Sequence, residues 1–282
     1  MTAIQGELVT LEDLLAMPAP EPQGPRHHPA PHGEVVLAVL AELERAGRHP
    51  QDMKFSIDRD DDRLYGRIVL GEDLALKEAQ RAVLRESRKE TYTGINESAV
   101  NGILERAGLA GAFGEALVIR HANDRSMSLR IEAAAQFYIC NNLAVGESGG
   151  SVRRRHVGDD DWTELAGRMT VQVLRDLPVL STTLSDLATV EVEDQRAKAI
   201  FWDIMTMRRR PIAPKLIEQA AETYFAHATE DVANPTALAI HQSLTRQLRG
   251  LGQRREILAS QTFLSMLRSE FAAVEPELPV AN

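Results

Sequence analysis

The stretch "SLRIEAAAQFYICNNLAVGESGGSVRRRHV", residues 128–157, decides the fold class. Leu129 and Ile131 alternate with Arg130 and Glu132, which is the two-residue period of a half-buried strand. A more apolar run follows, then a glycine-rich turn, and then an arginine-rich run that is typical of an edge strand. We therefore predict three successive strands with short connections, which favours an antiparallel sheet.

Upstream of this stretch, further strand patterns extend the predicted sheet. The runs "LVIRH" (117–121) and "MSLRIEA" (127–133) flank a turn, and "MKFSI" (53–57) and "RLYGRIVL" (63–70) flank the acidic connection "DRDDD". Helical patterns occupy residues 34–46, where Gly47 is placed to end the helix, and residues 76–90 and 97–114.

Downstream of residue 158 the pattern is helical throughout. The first helix has apolar residues at helical spacing from Trp162 onward and is predicted to end before Pro178. Further helices are predicted within 193–211, 213–227, 234–250 and 255–271, with Asn234 as the N-cap of the fourth. Arg208, Arg209 and Arg210 suit the negative end of the helix that precedes them.

These patterns predict an α+β fold with a β-rich antiparallel N-terminal half and a helical C-terminal half. The predicted layout is an arm at 1–32, a mixed domain with the sheet at 33–157, a helical region packed on it at 158–275, and a tail at 276–282. "TLEDLLAM" (10–17) predicts a short helix with Thr10 as N-cap. The Pro- and His-rich segment after it predicts a linker or a disordered arm, since it offers little apolar surface to bury.

Composition narrows the classes of function and location. The 282 residues carry a formal net charge of −9, so any binding of nucleic acid must come from a local basic patch. Cys140 is the only cysteine, which fits a reducing compartment. The sequence shows neither a signal peptide pattern nor an apolar run of membrane-spanning length, so we predict a cytoplasmic protein with no membrane partner.

The order of several motifs resembles the phage- and plasmid-associated family known as domain of unknown function 932. Members typically carry "LRNSHD"-like, "VCDNLAF"-like and "RRKHT"-like segments and a late "TAW-LxNAxTExL" helix. The matching stretches here are residues 119–124, 138–145, 153–157 and 236–248. The chain departs from this pattern at 121–123, which read "HAN", and in the late helix, where Leu238 and Ile240 replace the usual aromatic.

That resemblance implies no established activity. The setting of such proteins on mobile genetic elements implies DNA maintenance or counter-defence roles by association alone.

The arginines of the predicted strands are the best candidates for function. Guanidinium groups suit phosphate, so the sequence predicts a non-enzymatic protein that binds a DNA or RNA backbone. The competing interpretation is an edge strand protected from aggregation by charge. The predicted binding residues are Arg120, Arg130, Arg153, Arg154, Arg155, His156, Asn141 and Asn142.

For the two asparagines, turn formation competes with a role in reading bases. The acidic loops "DRDDD" and "GDDD" leave open a protein-interaction module that binds a host or phage protein and acts on host defence or replication machinery.

An enzyme remains the third hypothesis. Cys140 with His121 or His156 can form a nucleophile–base pair, with Asp124 nearby, although free cysteines are usually core residues. The histidines of the arm (His27, His28, His32) fit a linker better than a metal site. The sequence contains no recognisable nucleotide or metal motif, so it predicts no cofactor and no catalytic residue, and it does not indicate an oligomeric state.

Overall fold

The computed structural model describes residues 7–22, 28–58, 62–71, 113–124, 126–137, 143–146, 151–154, 161–228, 236–248 and 251–271. Within these ranges the fold is α+β, as the sequence predicts, with an antiparallel sheet followed by helices. The predicted helix at 76–90, most of that at 97–114 and the tail at 276–282 lie outside the described residues.

The described strands form one antiparallel sheet in the order β1-β2-β3-β4-β5-β6, with β7 also paired to β5. Both β6 and β7 pair along the same edge of β5, at its two ends. The strands are β1 Glu7–Val9, β2 Pro50–Asp58, β3 Arg63–Leu70, β4 Phe113–Ala122, β5 Leu129–Phe137, β6 Leu143–Val145 and β7 Ser151–Arg154.

Seven helices are present in the described ranges, two before the end of the sheet and five after it. They are α1 Leu11–Ala16, α2 His32–Arg45, α3 Trp162–Thr189, α4 Asp194–Thr206, α5 Pro214–Ala228, α6 Ala237–Arg246 and α7 Gln253–Phe271. None of the described helices combines the length and apolarity needed to cross a membrane.

The sheet has two faces of different chemistry, because successive side chains of a strand point to opposite sides. The core face carries Leu64, Ile68, Leu117, Ile119 and Ile131, which join one apolar cluster with residues of α2, α3 and the later helices. This cluster ties the sheet to the helical region.

We call the opposite side of the sheet the arginine face. It carries Arg63, Tyr65, Arg67, Arg120, Arg130 and Glu132. A small apolar cluster that includes Tyr65, Val118 and Ile257 holds α7 against this face.

Within the predicted arm at 1–32, the residues that the structure describes take part in the fold. Strand β1 pairs with β2, and α1 begins at a complete capping box between Thr10 and Asp13. Leu14 and Ala30 are buried in the main cluster. Gly33 allows α1 to lie close to α2, since a Cβ there would be 2.8 Å from Cδ2 of Leu15.

Two predicted helix boundaries also require correction. Helix α3 continues through Pro178 to Thr189, because Leu180, Leu184 and Leu187 continue its buried stripe beyond the proline. The N-cap of α6 is Thr236, whose hydroxyl accepts a hydrogen bond from the backbone of Ala239, in place of the predicted Asn234.

Candidate functional site

The pairing of three strands places three of the predicted arginines in one row. Arg120 of β4 lies opposite Arg130 of β5, and Arg130 lies opposite Arg153 of β7. Arg154 is one register position further along and lies opposite Leu129. Arg155, His156, Asn141, Asn142 and Cys140 are outside the described residues.

Arg120 is buried within the sheet–helix interface, contrary to the prediction that it is offered to a ligand. Only 5% of this residue is exposed, and its Nε donates to Oε2 of Glu132 at 2.7 Å. Its Nη2 donates to the other carboxylate oxygen of Glu132 and to Oε1 of Gln261 at 3.1 Å. Because all of these partners are buried as well, a phosphate cannot reach this guanidinium in the observed conformation.

Gln261 of α7 completes a polar network beneath the helix. Its amide nitrogen donates to Glu132 at 2.9 Å and to the backbone carbonyl of Gly146 at 3.3 Å. The adjacent Ser260 accepts a hydrogen bond from the backbone N–H of Val145. These bonds fix α7 over β5 and β6, so the helix covers Arg120 and buries it.

Arg130, unlike Arg120, is partly exposed. Its side chain is 32% exposed, and its Nη1 lies 3.7 Å from Oε1 of Glu132. Glu132 therefore serves two arginines with a single carboxylate. In the strand register Arg130 lies opposite Arg153 of β7.

Two other arginines on this face are bound to carboxylates. Arg63 contacts Asp124 through both Nε, at 2.8 Å, and Nη2, at 2.7 Å. Arg67 lies 3.4 Å from Asp52. Burial acts to raise the pKa of Asp124, but hydrogen bonds from Ser126 and Arg63 outweigh it, and the pKa is lower than usual. Arg63 and Arg67 thus neutralise local carboxylates and leave little charge for a ligand.

Tyr65 lies between these arginines and is almost completely buried. Burial raises the pKa of its hydroxyl, while the positive charges of Arg254, Arg63 and Arg120 oppose the increase. The phenol stays protonated at neutral pH and has the character of a core residue.

The residues of the enzyme hypothesis are not brought together where the structure describes them. His121 is on the core face, where its Nδ1 lies 2.7 Å from Nδ1 of His32. Asp124 is held by Arg63, and Asn123 forms two hydrogen bonds with the backbone of Ala30. His32, His121 and Asn123 therefore attach the N-terminal segment to the sheet.

The described ranges contain no group of three or more His, Cys, Asp or Glu side chains placed to hold a metal ion.

Sequence reasoning missed Glu132 and Gln261 as determinants of this site. The spacing of Arg130 and Glu132 signals that they share a face of β5, which already indicates that a carboxylate accompanies the arginines. Gln261 has no such signal, because it is 141 residues from Arg120 in the chain.

Comparisons of the chain with models of protein families, with curated proteins and with solved structures found no match in any of the three. The likeness to domain of unknown function 932 therefore stays a prediction from the motifs at 119–124, 138–145, 153–157 and 236–248.

Proposed function

We propose that the protein binds the phosphate backbone of a nucleic acid through the outer edge of the sheet. The observation that supports this proposal is the pairing of Arg130 of β5 with Arg153 of β7, next to the buried pair of Arg120 and Glu132. Two arginine positions adjoin at an edge where Arg130 is accessible to solvent. Guanidinium groups suit phosphate oxygens.

The role of Arg120 in this proposal differs from that of Arg130. Arg120 holds Glu132 through two hydrogen bonds, so that carboxylate is shared between Arg120 and Arg130. Arg120 is thus a positioning residue, and Arg130 and Arg153 make the contacts. The binding is local, because the chain as a whole is acidic and repels a polyanion.

Fluorescence anisotropy with labelled single- and double-stranded DNA tests this proposal. The double variant Arg130→Ala/Arg153→Ala should bind more weakly to every sequence, and the slope of log K against log salt should fall by about 2. The matched control is Arg168→Ala/Arg175→Ala, which removes two exposed arginines from α3 and should leave binding unchanged.

Absence of DNA and RNA binding by the wild-type chain at low salt would refute the proposal. Equal weakening by the control pair would also refute it, because the effect would then come from net charge and not from the sheet edge.

A further inference from the structure

The two tryptophans of the chain have opposite environments. Trp162 begins α3 and is buried in the main cluster, whereas 64% of Trp202 on α4 is exposed. A large aromatic side chain in water contributes nothing to the core and is a common feature of binding surfaces. The residues that follow Trp202 in the chain indicate which kind of ligand this side chain would bind.

The loop that follows α4, residues 207–213, carries three consecutive arginines, Arg208 to Arg210. Ile212 is buried in the main cluster and anchors the loop, and Nη1 of Arg210 donates to the carbonyl of Met205 at 3.1 Å. The sequence predicts that all three arginines stabilise the C-terminus of this helix, and in the structure Arg210 makes that contact. Arg208 and Arg209 are exposed at the turn and have no hydrogen bond or ion pair within the described chain.

The segment is strongly basic although the chain is acidic. Residues 196–215 contain six lysines and arginines, and Asp203 is their only acidic residue. Lys198 lies over the ring of Phe225 at 5.6 Å, and Arg196 pairs with Glu270, so these two cations are engaged. Arg208, Arg209 and the exposed Lys215 supply the charge that remains available.

Trp202 is close along the chain to the turn that follows α4. Trp202 is four residues before the last residue of α4, and Thr206 donates a hydrogen bond to its carbonyl. Four residues span about 6 Å along a helix axis. The exposed indole and the two exposed arginines are therefore close along the chain, at the C-terminal end of α4.

We propose that Trp202, Arg208 and Arg209 form a binding surface for single-stranded nucleic acid. The indole stacks on one base, and the two arginines contact neighbouring phosphates. A base with its flanking phosphates would use both the indole face and the arginines, so we take single-stranded nucleic acid as the occupant. This surface shares no residue with the β5–β7 edge, and the proposal is independent of that site.

Tryptophan fluorescence tests the proposal directly. In the variant Trp162→Phe the only tryptophan is Trp202, and titration with oligothymidylate at low salt should quench its emission. The further variant Arg208→Ala/Arg209→Ala should weaken the apparent affinity by about 10-fold or more, since each arginine contributes a phosphate contact. Arg168→Ala/Arg175→Ala is the matched control and should leave the titration unchanged.

Three outcomes would overturn the proposal: no change in emission with oligothymidylate, equal quenching by duplex DNA, or equal quenching by polyglutamate. The last would assign the surface to acidic proteins. If Trp162→Phe fails to fold, Trp202→Phe in the wild-type background gives the same test through loss of the quenched signal. Arg130→Ala/Arg153→Ala should leave the quenching intact, so failure here and failure of the sheet-edge proposal are distinguishable.

Discussion

At the scale of single residues, Arg120 and Glu132 make a testable contribution to stability. Arg120→Met leaves the carboxylate of Glu132, which is 1% exposed, with one buried hydrogen-bond partner fewer on each oxygen. We expect a loss of about 3–5 kcal/mol in the free energy of unfolding. Urea denaturation measures this change.

The double variant Arg120→Met/Glu132→Leu should recover much of that loss, since apolar pairs of similar volume often replace buried ion pairs. Arg130→Met is the control and should cost less than about 1 kcal/mol, because its side chain is partly exposed. If the single and double variants are equally unstable, the pair does not act as a unit.

His241 gives the protein a predicted dependence of stability on pH. This residue of α6 is fully buried, and burial lowers its pKa to about 4, although a hydrogen bond with the Ser260 backbone opposes the shift. In the unfolded chain the pKa is about 6.5, so below that value the unfolded state takes up a proton that the folded state does not. This contribution is therefore intact above about pH 6.5 and declines as the pH falls to about 4.

The total decline amounts to about 3 kcal/mol. It is measured as the difference in unfolding free energy between the wild type and His241→Gln, which cannot titrate, in urea between about pH 7 and about pH 4.5. The wild type should lose its advantage as the pH is lowered. Parallel curves for the two proteins would contradict this expectation.

At the scale of elements, the attachment of the N-terminal segment depends on the β4–β5 turn. Asn123→Ala removes two hydrogen bonds to the buried backbone of Ala30. Each unsatisfied buried group costs about 1–3 kcal/mol, so the segment should detach more often. Limited proteolysis should show faster cleavage within residues 7–31.

Ser126→Ala is the control for that experiment, because Ser126 lies in the same turn but contacts Asp124 instead of the N-terminal segment. Equal cleavage rates for the two variants would show that the turn as a whole, and not Asn123, retains the segment.

The sequence predicts those elements whose signals are local. The β2–β3 and β4–β5 hairpins follow from strand alternation, and the end of α2 follows from Gly47, whose φ of 66° suits glycine. The passage of α3 through Pro178 is not predictable locally, because the apolar contacts of Leu180 and Leu184 outweigh the loss of one backbone donor.

The sequence predicts which face of the sheet carries the arginines of the candidate site, but not which of these arginines are exposed to solvent. Strand period places Arg130 and Glu132 on one face, yet it does not show that α7 lies over Arg120. The same holds for Trp202, whose exposure depends on which side of α4 packs against α5. Long-range packing, which no local pattern encodes, decides which arginines are available to a ligand.

At the scale of the whole molecule, the sheet and the helical region should unfold together. Trp162 belongs to the cluster that joins the core face of the sheet to α2, α3 and the later helices. This apolar cluster is continuous from the sheet to the helices. In Trp202→Phe, urea transitions followed by Trp162 emission and by far-ultraviolet circular dichroism should therefore coincide.

A core substitution extends this test to both halves. Leu184 of α3 is fully buried in the joint cluster, so Leu184→Ala should lower the free energy of unfolding by about 2–5 kcal/mol. Because one cluster stabilises both parts, both probes should shift to lower urea concentration by the same amount. Two separate transitions, or a shift confined to one probe, would mean that the sheet and the helices are independent units and that the shared cluster does not couple them.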